Sequence, residues 1–246
     1  MGQGNKTKSL SANSKQFSPL SRKGLVIAID GPAASGKSTA ARLLAKRLGY
    51  LYLDTGIMYR ALTWKALRDK VDIKNSKALS ELVKGTRISL KPKSDLNIQV
   101  YLDGKDITSF IRSPEVNKYV SLVSTAGGLR KVMVAQQREI ARCGSLVAEG
   151  RDMGTVVFPR ADVKIFLQAS FEERAKRRWK ENKERGLSLA TEEVEAELAN
   201  RDRIDSQRKT SPLRRAKGAI VIDNTHLDIP ETVEKMWEVV GKKIKC

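Results

Sequence analysis

The fold of this chain is decided by the stretch Leu25-Val26-Ile27-Ala28-Ile29-Asp30-Gly31-Pro32-Ala33-Ala34-Ser35-Gly36-Lys37-Ser38. Its first part, Leu25–Ile29, is an unbroken apolar run, which is typical of a strand buried on both faces of a parallel sheet. Its second part, Gly31–Ser38, has the spacing G-x-x-x-x-G-K-[ST] of a phosphate-binding loop. Apolar residues then recur at helical spacing as far as Gly49, which predicts a helix that ends there.

This loop is suited to the phosphates of a nucleoside triphosphate. Glycines let backbone N–H groups turn toward phosphate oxygens, and the positive end of the following helix points at the same anion. Lys37 would place a full charge on the β and γ phosphates, and the Ser38 hydroxyl would ligate Mg²⁺. The residues predicted to bind the triphosphate are Gly31, Pro32, Ala33, Ala34, Ser35, Gly36, Lys37, Ser38 and Thr39.

Four further segments read as buried strands separated by helical segments. They are Tyr50–Leu53, Leu146–Ala148, Val163–Leu167 and Ala219–Asp223. This alternation predicts an α/β fold of the P-loop NTPase type, with a five-stranded parallel sheet flanked by helices and ligands at the carboxyl ends of the strands.

Two segments depart from the alternation. Arg87–Ile107 reads as short strands around an Asp103-Gly104 turn, which predicts a small antiparallel insertion. Phe171–Arg203 is a highly charged helical region broken near Gly186. Its surface is too polar for a core helix, so it is either a solvated hairpin or a mobile lid.

Composition and charge exclude several classes of protein. The 246 residues carry 47 Lys and Arg against 28 Asp and Glu, a net charge of +19, which indicates an anionic partner. Two cysteines and one histidine make a disulfide scaffold, a zinc site and a His-based catalytic triad improbable. The longest apolar run is far shorter than a bilayer crossing, so no membrane partner is expected.

Residues 1–24 contain five basic residues and no acid, which predicts a flexible basic tail. The tail lacks the apolar middle of a secretion signal, and we expect a cytoplasmic protein. With no long apolar seam along the chain, we also expect a monomer.

Two polar segments that follow predicted strands indicate what kind of ligand this NTP-binding protein accepts besides the triphosphate. Leu53-Asp54-Thr55-Gly56 with Tyr59-Arg60 follows one strand, and Gly150-Arg151-Asp152-Met153-Gly154-Thr155 follows another. Arg60, Arg151 and Asp152 would converge on one cleft at the carboxyl edge. Arginine binds two phosphate oxygens at once, and an aspartate accepts hydrogen bonds from amino or hydroxyl groups.

These features leave a small kinase as the leading class, with two alternatives open. No guanine-reading N-K-x-D and no ABC signature is present. One alternative is a P-loop kinase for another small acceptor, such as UMP, AMP or a non-nucleotide acid. The other is a nucleic-acid-binding NTPase, which the charge suggests. No recognised nucleic-acid-binding motif is present, so a specific nucleic-acid partner is not expected.

Four segments together resemble the bacterial-type cytidylate kinases. They are Ile29–Pro32, Leu53–Arg60, Gly150–Pro159 and Arg201–Ser206, and the resemblance runs from Leu25 to near the C-terminus. It implies a P-loop nucleoside monophosphate kinase that uses ATP and Mg²⁺ to phosphorylate CMP and dCMP to CDP and dCDP. It also implies an enlarged monophosphate-binding insertion and a helical lid.

The resemblance also assigns the site residue by residue. It places around CMP the side chains of Thr55, Arg60, Ser121, Arg130, Arg151, Asp152, Arg201, Asp205 and Arg208. Among these, Arg130, Ser121 and Asp152 would read cytosine, and Asp205 would accept from the sugar hydroxyls. The residues expected to act on the transferring phosphate are Lys37, Arg60, Arg151, Arg177 and Arg178.

The same resemblance divides residues 25–246 within a single kinase domain. Its core would comprise residues 25–63, 142–170 and 204–246, its monophosphate-binding insertion residues 64–141, and its lid residues 171–203.

Two smaller expectations concern single side chains. Asp30 would cap the phosphate-binding loop rather than join the Mg²⁺ shell, and Asp202 and Arg203 could pair with each other on the surface.

Overall fold

The computed structural model describes residues 24–92 and 98–244, so the predicted tail, apart from Gly24, lies outside the described residues. In chain order the strands are β1 (Val26–Asp30), β2 (Leu51–Asp54), β3 (Ile88–Pro92), β4 (Ile98–Leu102), β5 (Lys105–Asp106), β6 (Leu146–Gly150), β7 (Val163–Gln168) and β8 (Ile220–Asp223). The helices are α1 (Lys37–Leu48), α2 (Thr55–Arg68), α3 (Ser76–Lys84), α4 (Pro114–Val123), α5 (Gly127–Ile140), α6 (Phe171–Glu184), α7 (Thr191–Gln207) and α8 (Ile229–Ile244).

Five strands form one parallel sheet in the order β2-β6-β1-β7-β8, which confirms the predicted fold class. The central strand β1 pairs with β6 on one side and with β7 on the other. The register places Asp30 opposite Gly150 and Asp54 opposite Glu149. The polar ends of three strands therefore lie side by side at the carboxyl edge, where parallel sheets bind ligands.

Side chains of β1 alternate between two hydrophobic cores, which is why its sequence is apolar throughout. Ala28 packs with residues of α2, α3, α4 and α5 on one face of the sheet. Ile27 and Ile29 pack with residues of α1 and α8 on the other face. The cores hold the phosphate-binding loop between a rigid strand and helix α1. That helix ends at Gly49 with φ 68°, a left-handed residue as predicted.

Strands β3, β4 and β5 form the predicted small antiparallel sheet. The turn between β4 and β5 is made by Asp103 and Gly104, whose φ angles are 50° and 83°. Two successive left-handed residues are what a two-residue hairpin turn requires. The sheet packs through Val100 against Ile57 and Ala61 of helix α2, so it lies beside the helix that follows β2.

Helices α6 and α7 are separated at the predicted break, where Gly186 has φ 75°. They contact the phosphate-binding loop because Ala175 and Leu198 pack against Ala33. The expected pairing of Asp202 with Arg203 is wrong. Asp202 accepts a hydrogen bond from Arg174 of α6 at 2.5 Å, and Arg203 donates to Asn200. Consecutive residues of a helix point in different directions, so Asp202 faces α6 while Arg203 is exposed.

No helix within residues 24–92 and 98–244 combines the length and the apolar character needed to cross a bilayer.

Candidate active site

The phosphate-binding loop is shaped by glycines at positions where a side chain would clash or strain the backbone. A Cβ on Gly31 would lie 2.1 Å from the carbonyl oxygen of Leu167 in β7, which is too close for any side chain. Gly36 immediately precedes α1 with φ 82°, and Ala34 also adopts a left-handed φ of 57°. These left-handed residues curl the loop, so that the N-terminal end of α1 opens into a cleft.

The cleft has a volume of about 830 Å³ and brings together most of the residues predicted for the site. Those lining it are Ala34, Gly36, Lys37, Ser38, Thr39, Thr55, Arg60, Ser121, Arg130, Arg151, Asp152, Arg177, Arg178, Arg201, Asp205 and Arg208. The remaining predicted residues are outside the lining and form the body of the loop: Gly31, Pro32, Ala33 and Ser35. Lys37 and Arg151 therefore face one shared space.

Lys37 is buried at the bottom of this cleft and donates a hydrogen bond to the Pro32 carbonyl oxygen at 2.9 Å. Burial, reinforced by the positive charge of Arg151, lowers the pKa of Lys37 to about 7. An anion placed between the two side chains would favour the charged ammonium form. The loop is therefore suited to bind a phosphate whose charge offsets this repulsion.

Ser38 lies beside two buried carboxyl groups from the neighbouring strands. Its hydroxyl donates to Glu149 Oε1 at 2.6 Å, and the neighbouring Asp54 accepts from the backbone N–H of Ile57 at 3.0 Å. Burial and the nearby Glu149 raise the pKa of Asp54. The two carboxyl groups and the hydroxyl form a set of oxygen ligands of the kind that Mg²⁺ prefers.

A second, deeper part of the cleft contains arginines that are paired with aspartates. Arg130 forms a buried ion pair with Asp152, and Arg151 pairs with Asp205 at 2.8 Å. Arg208 lies 3.7 Å from Asp152 and 3.9 Å from Asp205. These four groups and Arg208 form a fixed network of donors and acceptors, which suits a polar ligand with several hydrogen-bonding groups.

Arg60 and Arg201 differ from these arginines, because neither forms an ion pair with a residue in the described ranges. Arg60 is 8% exposed, and burial together with the charge of Arg201 lowers its pKa. Burial and the charge of Arg151 lower the pKa of Arg201 to about 10. Both guanidinium groups line the cleft without an ion-pair partner among the described residues, so an anionic ligand there would stabilise them.

Arg177 and Arg178, the two arginines of α6 predicted to act on the transferring phosphate, have different surroundings. Arg177 donates to Glu173 at 2.9 Å and to the backbone oxygen of Asn224 at 2.7 Å, which fastens it between α6 and the segment after β8. Arg178 pairs with Glu181 on its own helix at 2.9 Å. Arg178 is therefore the less constrained of the two predicted phosphate ligands.

Sequence reasoning missed three residues at this site. Asp54 lies inside the motif Leu53–Gly56 and Glu149 directly precedes Gly150, and their positions at the ends of β2 and β6 could have identified them. Asn117 of α4, which accepts a hydrogen bond from Arg60, carries no signal in the sequence. Asp30 has a structural contact, but not the predicted cap on the phosphate-binding loop: its carboxylate accepts from the backbone N–H groups of Met153 at 2.7 Å and Gly154 at 2.8 Å, in the segment after β6.

A phosphate-binding loop at the centre of a five-stranded parallel sheet, with an arginine-rich pocket across one cleft, defines a P-loop kinase. The sequence model for "Cytidylate kinase" matches residues 27–242. The cytidylate kinase of Geobacillus sp. strain WCH70 is 52% identical over 223 residues, covering 91% of this chain and 99% of that protein.

Two further relatives agree. The cytidylate kinase of Geobacillus kaustophilus strain HTA426 is 51% identical over 89% of this chain and 97% of its own length. The cytidylate kinase of Bacillus cereus strain ATCC 10987 is 47% identical, with coverage of 89% and 97%. This chain therefore belongs to the cytidylate kinase family, and it is a kinase that transfers phosphoryl groups.

Proposed function

We propose that this enzyme transfers the γ-phosphoryl group of ATP to CMP and dCMP, forming CDP and dCDP. The observation that carries the proposal is the shared cleft, whose lining includes Lys37 of the phosphate-binding loop, the paired arginines, and Arg60 and Arg201, which form no ion pair among the described residues. Such an arrangement holds a donor phosphate and an acceptor phosphate next to each other, so binding supplies much of the catalysis.

The donor end of the cleft is assigned to ATP. Backbone N–H groups of the loop and the N-terminal end of α1 would hold the β and γ phosphates, and Lys37 would contact the transferring group. The Ser38 hydroxyl, with Glu149 and Asp54 behind it, fits Mg²⁺ carried by the nucleotide phosphates. When bound there, the ion supplies positive charge against the phosphate oxygens.

The acceptor end is assigned to the nucleoside monophosphate. Arg60, Arg151, Arg201 and Arg208 would hold its phosphate, and Asp205 would accept from the sugar hydroxyls. Cytosine has both hydrogen-bond acceptors and an exocyclic amino donor, which match Arg130 and Asp152 with Ser121 beside them. Thr55 donates its hydroxyl proton to the Glu149 carbonyl oxygen at 2.8 Å and so presents a fixed oxygen to the cleft.

Chemistry in this cleft needs no strong general base, because the attacking phosphate oxygen is already an anion. The protein would act by aligning the two phosphates and by neutralising the negative charge that spreads over the transferring group. We assign residues 171–203 to a lid that brings Arg178 and Arg177 over this group and excludes water. We likewise assign residues 64–141 to the monophosphate-binding insertion.

A panel of acceptors tests the proposal directly. With ATP and Mg²⁺, ADP release should be fastest with CMP and dCMP and much slower with UMP and AMP. Arg151→Ala should lose on the order of 3 kcal/mol of transition-state stabilisation in kcat/KM, the size found when one preorganised donor is removed. The exposed Arg160→Ala provides a control with the same change in charge.

Equal rates with all four acceptors, or kcat/KM of Arg151→Ala equal to that of Arg160→Ala, would contradict the assignment. The expected monomeric state stays a prediction that size-exclusion chromatography with light scattering can test.

A further inference from the structure

The guanidinium group of Arg60 is held by a neutral partner, unlike those of its neighbours. Arg60 lies on α2, and its Nη1 donates to the side-chain oxygen of Asn117 on α4. Asn117 in turn donates from Nδ2 to the backbone oxygen of Arg112 at 3.1 Å. The side chain of Arg60 is almost fully buried, so this contact orients it at the surface of the cleft.

The orientation of the Asn117 amide is fixed by the chemistry of its two partners. A guanidinium group only donates hydrogen bonds, and a carbonyl oxygen only accepts them. The oxygen of the amide must therefore face Arg60, and its nitrogen must face Arg112. Asn117 itself is half-buried behind Arg60 and does not line the cleft, so it has no direct access to a ligand.

Building on the proposed function, we propose that Asn117 is a positioning residue that holds Arg60 toward the acceptor phosphate without neutralising its charge. A carboxylate at this position would also accept from Arg60, but it would form an ion pair and compete with the phosphate of CMP. The pairs Arg151–Asp205 and Arg130–Asp152 show that carboxylates are used elsewhere in the same cleft. At Arg60 the acceptor is instead an amide.

The like charges around Arg60 explain why an acceptor is needed there. Burial and the guanidinium groups of Arg201, Arg112 and Arg178 all act against the charged form of Arg60. Without Asn117, this repulsion would turn the side chain away from the cleft. The Asn117 amide therefore has two effects: it fixes the direction of Arg60, and it leaves the positive charge of Arg60 available to an anion.

The proposal is tested by Asn117→Asp and Asn117→Ala in the full chain, with steady-state kinetics for CMP and ATP. Asn117→Asp should raise the KM for CMP about tenfold and Asn117→Ala about threefold, with the KM for ATP changed by less than about twofold. Asn117→Gln, which keeps a neutral amide oxygen, should lie closer to the parent enzyme than Asn117→Asp does.

The control is Lys118→Ala, which changes the net charge by the same amount as Asn117→Asp at an exposed position on the same helix. It should leave the KM for CMP unchanged. Cytidine, which has no phosphate, is the second readout: its inhibition constant should be the same in all four variants, because the base and sugar pocket is untouched. Melting temperatures identify any variant that folds poorly.

Two results would overturn the inference. The first is a KM for CMP in Asn117→Asp that matches the value in Lys118→Ala. The second is a loss of cytidine affinity as large as the loss of CMP affinity, since that would indicate general damage to the pocket. If Asn117→Asp folds poorly, the comparison of Asn117→Ala with Asn117→Gln takes its place. A KM for CMP that is equal in these two variants, or a matching loss of cytidine affinity in Asn117→Ala, would overturn the inference. Failure of the parent enzyme to accept CMP would instead contradict the proposed function.

Discussion

Asp30 shows how a single buried carboxyl group connects two segments of the active site. It ends strand β1, and both of its oxygens accept hydrogen bonds from the backbone after β6, at Met153 and Gly154. Those residues begin the π-helix Met153–Val157, which follows Arg151 and Asp152 directly. The position of the arginine motif relative to the phosphate-binding loop therefore depends on this carboxyl group.

The burial of Asp30 makes protein stability depend on pH. Burial raises its pKa from the ordinary value of 3.8 to about 6, although the two backbone hydrogen bonds act in the opposite direction. Between these two values the folded protein holds a proton that the unfolded chain has released. The contribution of Asp30 to stability is therefore largest below its unfolded pKa and is lost as the pH rises through about 6.

We predict that this loss can be measured against Asp30→Asn, which has no titrating group at the position. The difference in unfolding free energy, parent minus variant, should fall by on the order of 3 kcal/mol between about pH 4 and about pH 8. Urea unfolding of both proteins at several pH values measures this difference. The effect of the asparagine amide on stability does not depend on pH, so it does not contribute to the change between the two pH values. As a control, the difference in unfolding free energy between the parent protein and Ile27→Val, a change in the same strand with no titrating group, should not vary with pH. A constant difference for Asp30→Asn would refute the prediction.

At the level of secondary-structure elements, α6 and α7 of the proposed lid share an ion pair that contacts the phosphate-binding loop. Arg174 of α6 donates to Asp202 of α7 at 2.5 Å and to the Ala33 carbonyl oxygen at 3.2 Å. The backbone N–H of Ala33 donates back to Asp202 at 3.4 Å. Both lid helices and the loop therefore meet at one polar contact beside a small apolar cluster.

We predict that Arg174→Ala weakens this attachment, because the Ala33 carbonyl loses the guanidinium group and Asp202 keeps only the Ala33 backbone N–H. Stability should fall by about 2–3 kcal/mol, and hydrogen exchange should accelerate across Thr191–Gln207. The control is Arg203→Ala, which removes an exposed arginine from α7. It should change the unfolding free energy by less than about 0.5 kcal/mol. Unchanged exchange in Arg174→Ala would show that the Arg174–Asp202 pair does not hold α7 in place.

The same elements show what the sequence can and cannot predict. Strand β1, the loop and α1 are predictable because their signals lie within one short stretch, and the Asp103-Gly104 hairpin is predictable because the turn needs two left-handed residues. The contact between Ser38 and Glu149 joins residues 111 positions apart, and the contact between Arg60 and Asn117 joins residues 57 apart. Such pairs depend on how complete elements pack, and no local pattern contains that information.

On the scale of the whole molecule, the cleft is bounded by three structural units. The carboxyl edge of the parallel sheet provides Lys37 and Arg151, the region of the small sheet and α4 provides Arg112 and Ser121, and helix α6 provides Arg178. Each unit contributes positive charge to the cleft, so these like charges repel one another across it. Phosphates that bridge them would reverse the sign of this interaction.

We predict that a single ligand joining adenosine and cytidine through five phosphates stabilises all three units together. At about a thousandfold excess over its dissociation constant it should raise the unfolding free energy by about 4 kcal/mol. Hydrogen exchange should slow more in α4, in α6 and in the loop after β1 than in the C-terminal half of α8, whose apolar residues pack on the opposite face of the sheet. If exchange slows in the loop and in α6 but not in α4, the acceptor pocket does not belong to the same cleft. That result would contradict a single shared site.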